Sequence, residues 1–489
     1  MSRTSRAVLA AVLAGMLPSV AAGQSATVKP IAVGDTVVAG SLRSRAYSWR
    51  WFGDSPDGEY SYPGSLLRVG ITRPADKYEV QVEAAIPILF NLPAAAVAPA
   101  PRGQLGLGAS YAAANSNSRD TAGFFVKQAT VRLKAVGGIP GQSIKIGRME
   151  FNDGSEVIPG NTSLATVKRD RISQRLLGNF GFSDVGRSID GAMYSLNWKQ
   201  FNITSLAGRP TQGVFQVDGW GELNINLGYA AVTGQTGTDT SPAEWRAFVL
   251  GYDDYRHGAV KVDNRSATAR GADTGSIALR TFGAHYLRMI ATPSGPLDVL
   301  VWGALQNGSW GALDHKAVAF AVEGGWQPAS FKPLSIWLRA GYDHASGDHD
   351  PLDATHGSFF QVLPTPRVYA RLPFYNMMNT EDVFGELTLK PMKSLAVRAD
   401  VHALRLADVN DLWYSGGGAF QPATFGYSGR PSNGSAGLAR LYDISGDYAL
   451  NPRVSLGMYF GYANGGSVAS AIYASGGARL AYGELLYRF

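Results

Sequence analysis

The sequence predicts an all-β protein, a transmembrane antiparallel β-barrel of about 18 strands with long extracellular loops and short periplasmic turns. Three observations carry this. Windows of about 10–13 residues alternate apolar and polar side chains along the chain, close to the roughly 9–11 residues a tilted strand needs to cross a bilayer. The connections between the windows alternate in length. The final window, SGGARLAYGELLYRF, sets Leu485, Tyr487 and Phe489 on one parity and Tyr482, Glu484 and Arg488 on the other, so that one face suits lipid and the opposite face suits water.

The chain opens MSRTSRAVLAAVLAGMLPSVAAGQS. Arg3 and Arg6 precede an apolar stretch from Ala7 to Leu17, and the small residues Ala21, Ala22 and Gly23 follow it. This is the pattern of a secretory signal peptide over residues 1–23, too short for a membrane-spanning helix. Residues 24–489 then form one barrel domain, since no linker or change of composition divides them. There is no cysteine, so the fold owes nothing to disulfides. The formal charge of +6 falls to +4 once Arg3 and Arg6 leave. That excess is too small and too scattered for a nucleic-acid binder. Fifty-nine Gly, 22 Tyr, 21 Phe and 10 Trp beside 17% charged residues describe strands and turns rather than long soluble helices.

The windows follow in order. In QATVRLKA, Ala129, Val131 and Leu133 oppose Gln128, Thr130, Arg132 and Lys134; in ELNINLGYA, Leu223, Ile225, Leu227 and Tyr229 oppose Asn224 and Asn226. In SLAVRADVHAL, Leu395, Val397, Ala399, Val401 and Ala403 oppose Arg398, Asp400 and His402; in VSLGMYFGY, Val454, Leu456, Met458, Phe460 and Tyr462 oppose Ser455 and Tyr459. The window 277–290 breaks the pattern, because Arg280 and Arg288 share parity with Phe282 and Tyr286. Aromatics near window ends (Tyr47, Trp49 and Trp51; Tyr194 and Trp198; Trp326 and Trp337; Tyr482 and Tyr487) suit interfacial girdles.

Short connections fall at 73–77, 137–142, 199–200, 292–296, 327–333, 390–393 and 451–453, with a longer one at 233–243. Longer polar segments lie between them, near 89–123, 152–187, 210–221, 256–275, 344–380 and 407–437, with briefer ones near 53–65, 308–315 and 464–476. Eight short hairpins give 16 strands, and a first strand near 43–52 with the last near 477–489 brings the count to 18. The last strand must pair with the first, because lipid tolerates no open sheet edge.

Such a barrel encloses an aqueous lumen. Parity points Arg50, Arg68, Arg132, Arg187, Arg339, Arg398 and Arg488 inward, along with Glu79, Glu83, Glu323, Asp343, Glu386, Asp400, Asp443, Asp447 and Glu484. The lumen is therefore mixed in sign, and neighbouring strands can pair many of these charges. The segment after KIGRMEF concentrates Lys168, Arg169, Arg171, Arg175 and Arg187 within about twenty residues. Folded inward it would present a basic patch to a polyanion; outside it would be a solvated loop.

Two other chemistries are weaker. His344, His349 and His356 lie near Ser346, Ser358, Asp348 and Asp350, but no catalytic spacing emerges, so the protein is not expected to be an enzyme. Asp348, Asp350 and Asp353 offer carboxylates to calcium, yet the twelfth position of such a loop is Phe359 where a glutamate is required. No metal or cofactor is expected.

KIGRMEF with the basic loop behind it, SGDHDPLD at 346–353, DVFGEL at 382–387 and DLWYSGGGAF at 411–420 resemble the alginate-export family of outer-membrane barrels, over roughly residues 120–489. The resemblance implies an 18-stranded barrel in the bacterial outer membrane, through which an anionic uronate polysaccharide passes passively at an electropositive constriction. It implies substrate contacts from Arg148 of GRMEF, from Lys168, Arg169, Arg171 and Arg175 of the basic loop, and from Arg339 and Asp343 leading into SGDHD. Arg187, Arg398, Asp400 and His402 join them by parity. The partners expected are membrane lipid, the barrel-assembly machinery through Phe489, and the polysaccharide or, on the alternative reading of a porin, a small solute.

Overall fold

The computed structural model describes residue 28 and residues 30–53, 56–474 and 476–489; the expected signal peptide lies outside the described residues. Eighteen long strands run antiparallel in chain order: β1 (Thr36–Arg50), β2 (Glu59–Pro74), β3 (Tyr78–Leu89), β4 (Phe125–Lys134), β5 (Gln142–Met149), β6 (Ile189–Trp198), β7 (Phe201–Pro210), β8 (Ile225–Thr238) and β9 (Ser241–Asp254). They continue with β10 (Ile277–Ile290), β11 (Leu297–Trp310), β12 (Leu313–Trp326), β13 (Trp337–Ala345), β14 (Thr380–Met392), β15 (Leu395–Arg405), β16 (Gly437–Ala449), β17 (Val454–Gly465) and β18 (Gly477–Arg488). β18 pairs with β1 from Ser41↔Arg488 to Arg50↔Arg479, which closes the ring and leaves no edge to lipid.

Period 2 sorts the side chains. On β12, Val318, Phe320 and Val322 are exposed while Ala317, Ala319, Ala321 and Glu323 between them are buried. Leu485 and Tyr487 face out and Leu486 faces in, as the closing window predicts. β10 resolves its anomaly at its ends. Arg280 and Arg288 lie on the outer face with Phe282 and Tyr286, but near the two rims, and Arg280 meets Asp253 at 2.7 Å. Charges are tolerated there far better than at mid-membrane.

Two connections are tighter than the sequence suggests. The stretch 233–243 is mostly strand, leaving only Asp239 and Thr240 between β8 and β9, and Gly311 and Ala312 alone join β11 to β12. Gly311 turns with φ +63°, a conformation glycine adopts without steric cost.

The inside is filled. The segments joining β3 to β4, β5 to β6, β13 to β14 and β15 to β16 supply most of the chain between strands, and their residues join a buried aromatic core. Trp51 stacks on Phe374 at 5.3 Å and Phe374 on Trp413 at 5.1 Å. This corrects part of the expected girdle: Tyr47, Trp49, Trp51 and Tyr482 face the filled lumen and are buried, and Trp337 donates inward to Asp298 at 2.8 Å. Trp198, Trp326 and Tyr487 do face outward. Arg50 is also corrected, since it shares the outer parity of Leu42 and Ala46 and lies 3.8 Å from Glu59.

Candidate functional site

The basic loop folds into the barrel. Helix α1 (Leu107–Ala114) lies in the β3–β4 segment, and the β5–β6 segment carries α2 (Thr162–Arg171). Asn161 caps α2 by accepting from the Leu164 amide at 3.0 Å, and Lys168, Arg169 and Arg171 occupy its last turn, where cations complement the helix dipole. Beyond α2 the chain is knitted to the β13–β14 segment: the Gly178 amide donates to the Leu363 carbonyl at 2.8 Å and the Leu363 amide to the Leu176 carbonyl at 2.8 Å.

Wall carboxylates receive Lys168, Arg171 and Arg175 of this loop. Lys168 meets Glu244 of β9 at 2.6 Å; burial pulls its ammonium below the usual range, with Glu244 opposing. Arg171 and Arg175 each reach Glu323 of β12 at 2.7 Å, and lie 3.8 and 3.6 Å from Asp343. Arg339 of β13 completes the cluster, with Glu323 at 3.1 Å and an ion pair to Asp298, while Asp343 accepts from the Tyr375 hydroxyl at 2.8 Å. Arg169 pairs with its neighbour Asp170 at 2.6 Å. Arg398 bridges Glu386 at 3.2 Å and Asp400 at 2.8 Å, and His402 meets Asp382 at 2.7 Å. Arg187 donates to the Gly417 carbonyl, and burial brings its guanidinium down to about 10.

Arg148 is placed elsewhere. It shares parity with the exposed Ile146, pairs with Asp190 at 2.6 Å and donates to the carbonyls of Gly219 and Trp220 at 3.1 and 2.8 Å. It stands on the outer wall beneath the β7–β8 segment, so the expectation that it lines the lumen is corrected. A rim loop covers the charge, which period 2 alone cannot reveal.

Two cavities among the described residues lie along the interior. The lower one, about 320 Å³, opens among the periplasmic halves of the wall; its lining includes Arg43, Arg45, Arg169, Arg171, Arg339, Arg367, Arg371, Lys390 and Arg398 against Asp170, Glu386, Asp447 and Glu484. Nine cations to four acids makes its surface electropositive, although Glu323, Asp298 and Asp184 behind it offset Arg171, Arg339 and Arg43. The upper cavity, about 350 Å³, lies among the long segments and is lined by Trp49, Trp51, Phe180, Phe215, Phe420, Tyr427 and Arg430 together with small polar residues.

Phe182, Arg367 and Arg371 line both cavities. Arg367 is held by the carbonyls of Ala370, Leu372 and Tyr375, and burial brings it down to about 10. The Arg371 guanidinium lies 5.2 Å from the Tyr459 ring. Among the described residues neither arginine has a carboxylate within ion-pair distance, unlike the bases of α2. Sequence reasoning missed both, because their segment has no periodicity; the one available signal was two arginines four residues apart in an aromatic-rich loop. It also missed Arg43, Arg45 and Arg246, which parity could have found.

The catalytic and calcium candidates have other uses. Ser346 donates to the Gly357 carbonyl at 2.8 Å and Ser358 to Asp411, neither to an imidazole. Asp350 and Asp353 accept from the amides two residues ahead, Leu352 at 2.9 Å and Thr355 at 2.7 Å, as turn-forming aspartates do.

A closed 18-stranded barrel with short turns at one end, long segments at the other and charged cavities inside is an outer-membrane channel. The family model for alginate export matches residues 106–468, and the chain belongs to that family. No curated protein matches it. Among solved structures it is similar to Pseudomonas aeruginosa OccK9 (OpdG), at TM-score 0.53 and 11% identity over 93% of this chain and 98% of that one. It is also similar to Pseudomonas aeruginosa OpdK with vanillate, at 0.53 and 8% over 92% and 98%. Acinetobacter baumannii OccAB4 aligns at 0.51 and 9% over 96% and 99%. At such identities the likeness is one of fold.

Proposed function

We propose that this channel passes an anionic, alginate-like polyuronate passively out of the cell, with Arg367 and Arg371 as the cations the polymer meets between the two cavities. The observation that carries the reading is the absence of a carboxylate partner for either arginine among the described residues. A buried ion pair spends its field on its partner, whereas an unpaired guanidinium in a low-dielectric passage can offer bidentate hydrogen bonds to a uronate carboxylate. The aromatic faces of the upper cavity suit the apolar faces of sugar rings. On this reading Lys168, Arg171, Arg175 and Arg339 shape the passage by holding the filling segment to the wall, and Arg169 and Arg398 contribute to the positive lower cavity.

The test is a planar-bilayer recording in a salt gradient, with and without polyuronate oligomers. The expected result is a reversal potential on the anion side and current block by the oligomers, both weakened in Arg367→Ala/Arg371→Ala. Cation preference and indifference to polyuronate would overturn the reading.

A second reading, a substrate-selective porin for small solutes, has its own support. The cavities are of the size that binds small ligands, and the similar OpdK structure was solved with vanillate. Current block by small carboxylates but not by oligomers would favour it.

A further inference from the structure

Where β14, β15 and β16 lie side by side, the inner wall gathers four ionisable side chains that the passage described above does not use. Asp400 and Asp443 are register partners on β15 and β16, His402 lies two residues beyond Asp400, and Asp382 stands next to it on β14. The exposures of Asp400, His402 and Asp443 are 8%, 1% and 6%, and one potential ligand atom from each lies within 4.8 Å of the others.

Two carboxylates facing each other across adjacent strands repel, and burying them needs a compensating cation. Arg398 serves Asp400 at 2.8 Å but is shared with Glu386. Asp443 receives the Tyr459 hydroxyl on Oδ1, while its Oδ2 is buried without a partner. His402 is bound on Nδ1 by Asp382 Oδ2 at 2.7 Å, and its Nε2 is likewise buried without a partner. A carboxylate fixing one imidazole nitrogen and leaving the other free is the arrangement that orients a metal-ligating histidine.

We propose that Asp400, His402 and Asp443 form a divalent-cation site in the barrel wall, with Asp382 as the positioning residue for His402. One imidazole with two carboxylates is a mixed nitrogen and oxygen set, which suits zinc and its first-row neighbours better than calcium or magnesium. Water completes the coordination. A bound ion offsets the facing carboxylates, which otherwise lower the positive potential of the lumen.

The experiment uses the full barrel purified in detergent, with His257→Ala and His349→Ala removing two exposed imidazoles. After treatment with chelator, Zn2+ is titrated in and the retained metal counted. Cu2+ is then added as a spectroscopic probe. The expected result is one metal per chain, nitrogen hyperfine structure from a single imidazole in the Cu2+ EPR spectrum, and loss of both in His402→Gln. Asp382→Asn should weaken binding about 10–100-fold, and heat-modifiable gel mobility reports that each variant is folded. The wild-type count and spectrum decide the matter even where a variant fails to assemble. No stoichiometric metal in the wild-type barrel, or binding unchanged in folded His402→Gln, would overturn the proposal and leave His402 as a hydrogen-bonded partner of Asp382.

Discussion

Glu323 Oε1 accepts a 2.7 Å hydrogen bond from Nη2 of Arg175, joining the barrel wall to a segment 148 residues earlier in the chain. The other oxygen of the same carboxylate takes Nε of Arg171, also at 2.7 Å, so one wall residue fastens both arginines. Removing it leaves two buried cations with only the more distant Asp343. The expected effect of Glu323→Ala is a loss of about 3–5 kcal/mol, read as a lower temperature for the heat-induced gel shift. The loosened segment should also add noise and conductance in single-channel records. An unchanged transition would mean that the aromatic contacts alone hold the segment.

On the proposed reading, Arg371 should govern ion preference more than the crowded bases of α2 do. Arg371→Glu should move the reversal potential towards cations, and the shift should grow at low salt, where the Debye length is longer. Substituting Lys168 should change selectivity little, because Glu244 already neutralises it at 2.6 Å.

Arg148 provides a contrast within the resemblance. Standing on the outer wall and tied to Asp190 at 2.6 Å, it should leave reversal potential and oligomer block unaltered when changed to Ala. The expected change is faster amide exchange around Gly219 and Trp220, whose carbonyls it holds.

The segment after β13 should respond to pH. Asp348 is buried, and burial with Asp411 beside it pushes its carboxyl up to about 7. Folded Asp348 therefore binds a proton that the unfolded chain releases near pH 4. Local stability is then greatest below that pH and falls as pH rises towards about 7. Protection across residues 346–358, the exchange rate relative to the intrinsic rate at the same pH, should fall from about pH 4 to about pH 7, and Asp348→Asn should flatten that fall.

The barrel seam rests on a small residue. The amides of Gly40 and Phe489 each donate to the other's carbonyl at 3.0 Å, and a Cβ on Gly40 would collide with the Phe489 ring. Gly40→Leu should lower the yield of membrane-inserted protein, as should removal of Phe489, while either barrel that does assemble should conduct normally. Wild-type yields from both would show that the seam closes without this contact.

The wall was legible because a strand with lipid on one side must alternate, and Val318, Phe320 and Val322 obey that demand. Legibility failed where both sides are apolar or where a charge is covered. Tyr47 and Trp49 read as girdle residues, yet they meet an aromatic filling that no periodicity announces. Arg50 and Arg148 lie outside, one at the rim and one beneath a loop. The basic loop was visible as a cluster of charges, but its entry depends on Glu244 and Glu323, distant in sequence. Arg367 and Arg371 lie in irregular backbone, where parity has no meaning.

Each segment that fills the lumen leaves from one wall strand and returns to the next, between β3 and β4, β5 and β6, β13 and β14, and β15 and β16. A stopper sewn in at both ends cannot be ejected and need not find its way back. It can only yield in place, by bending its loops and exchanging partners among the charges that fasten it. On the proposed reading, recovery after each passage is then a local rearrangement of the kind that takes roughly microseconds to seconds, because the segments stay tethered at both ends.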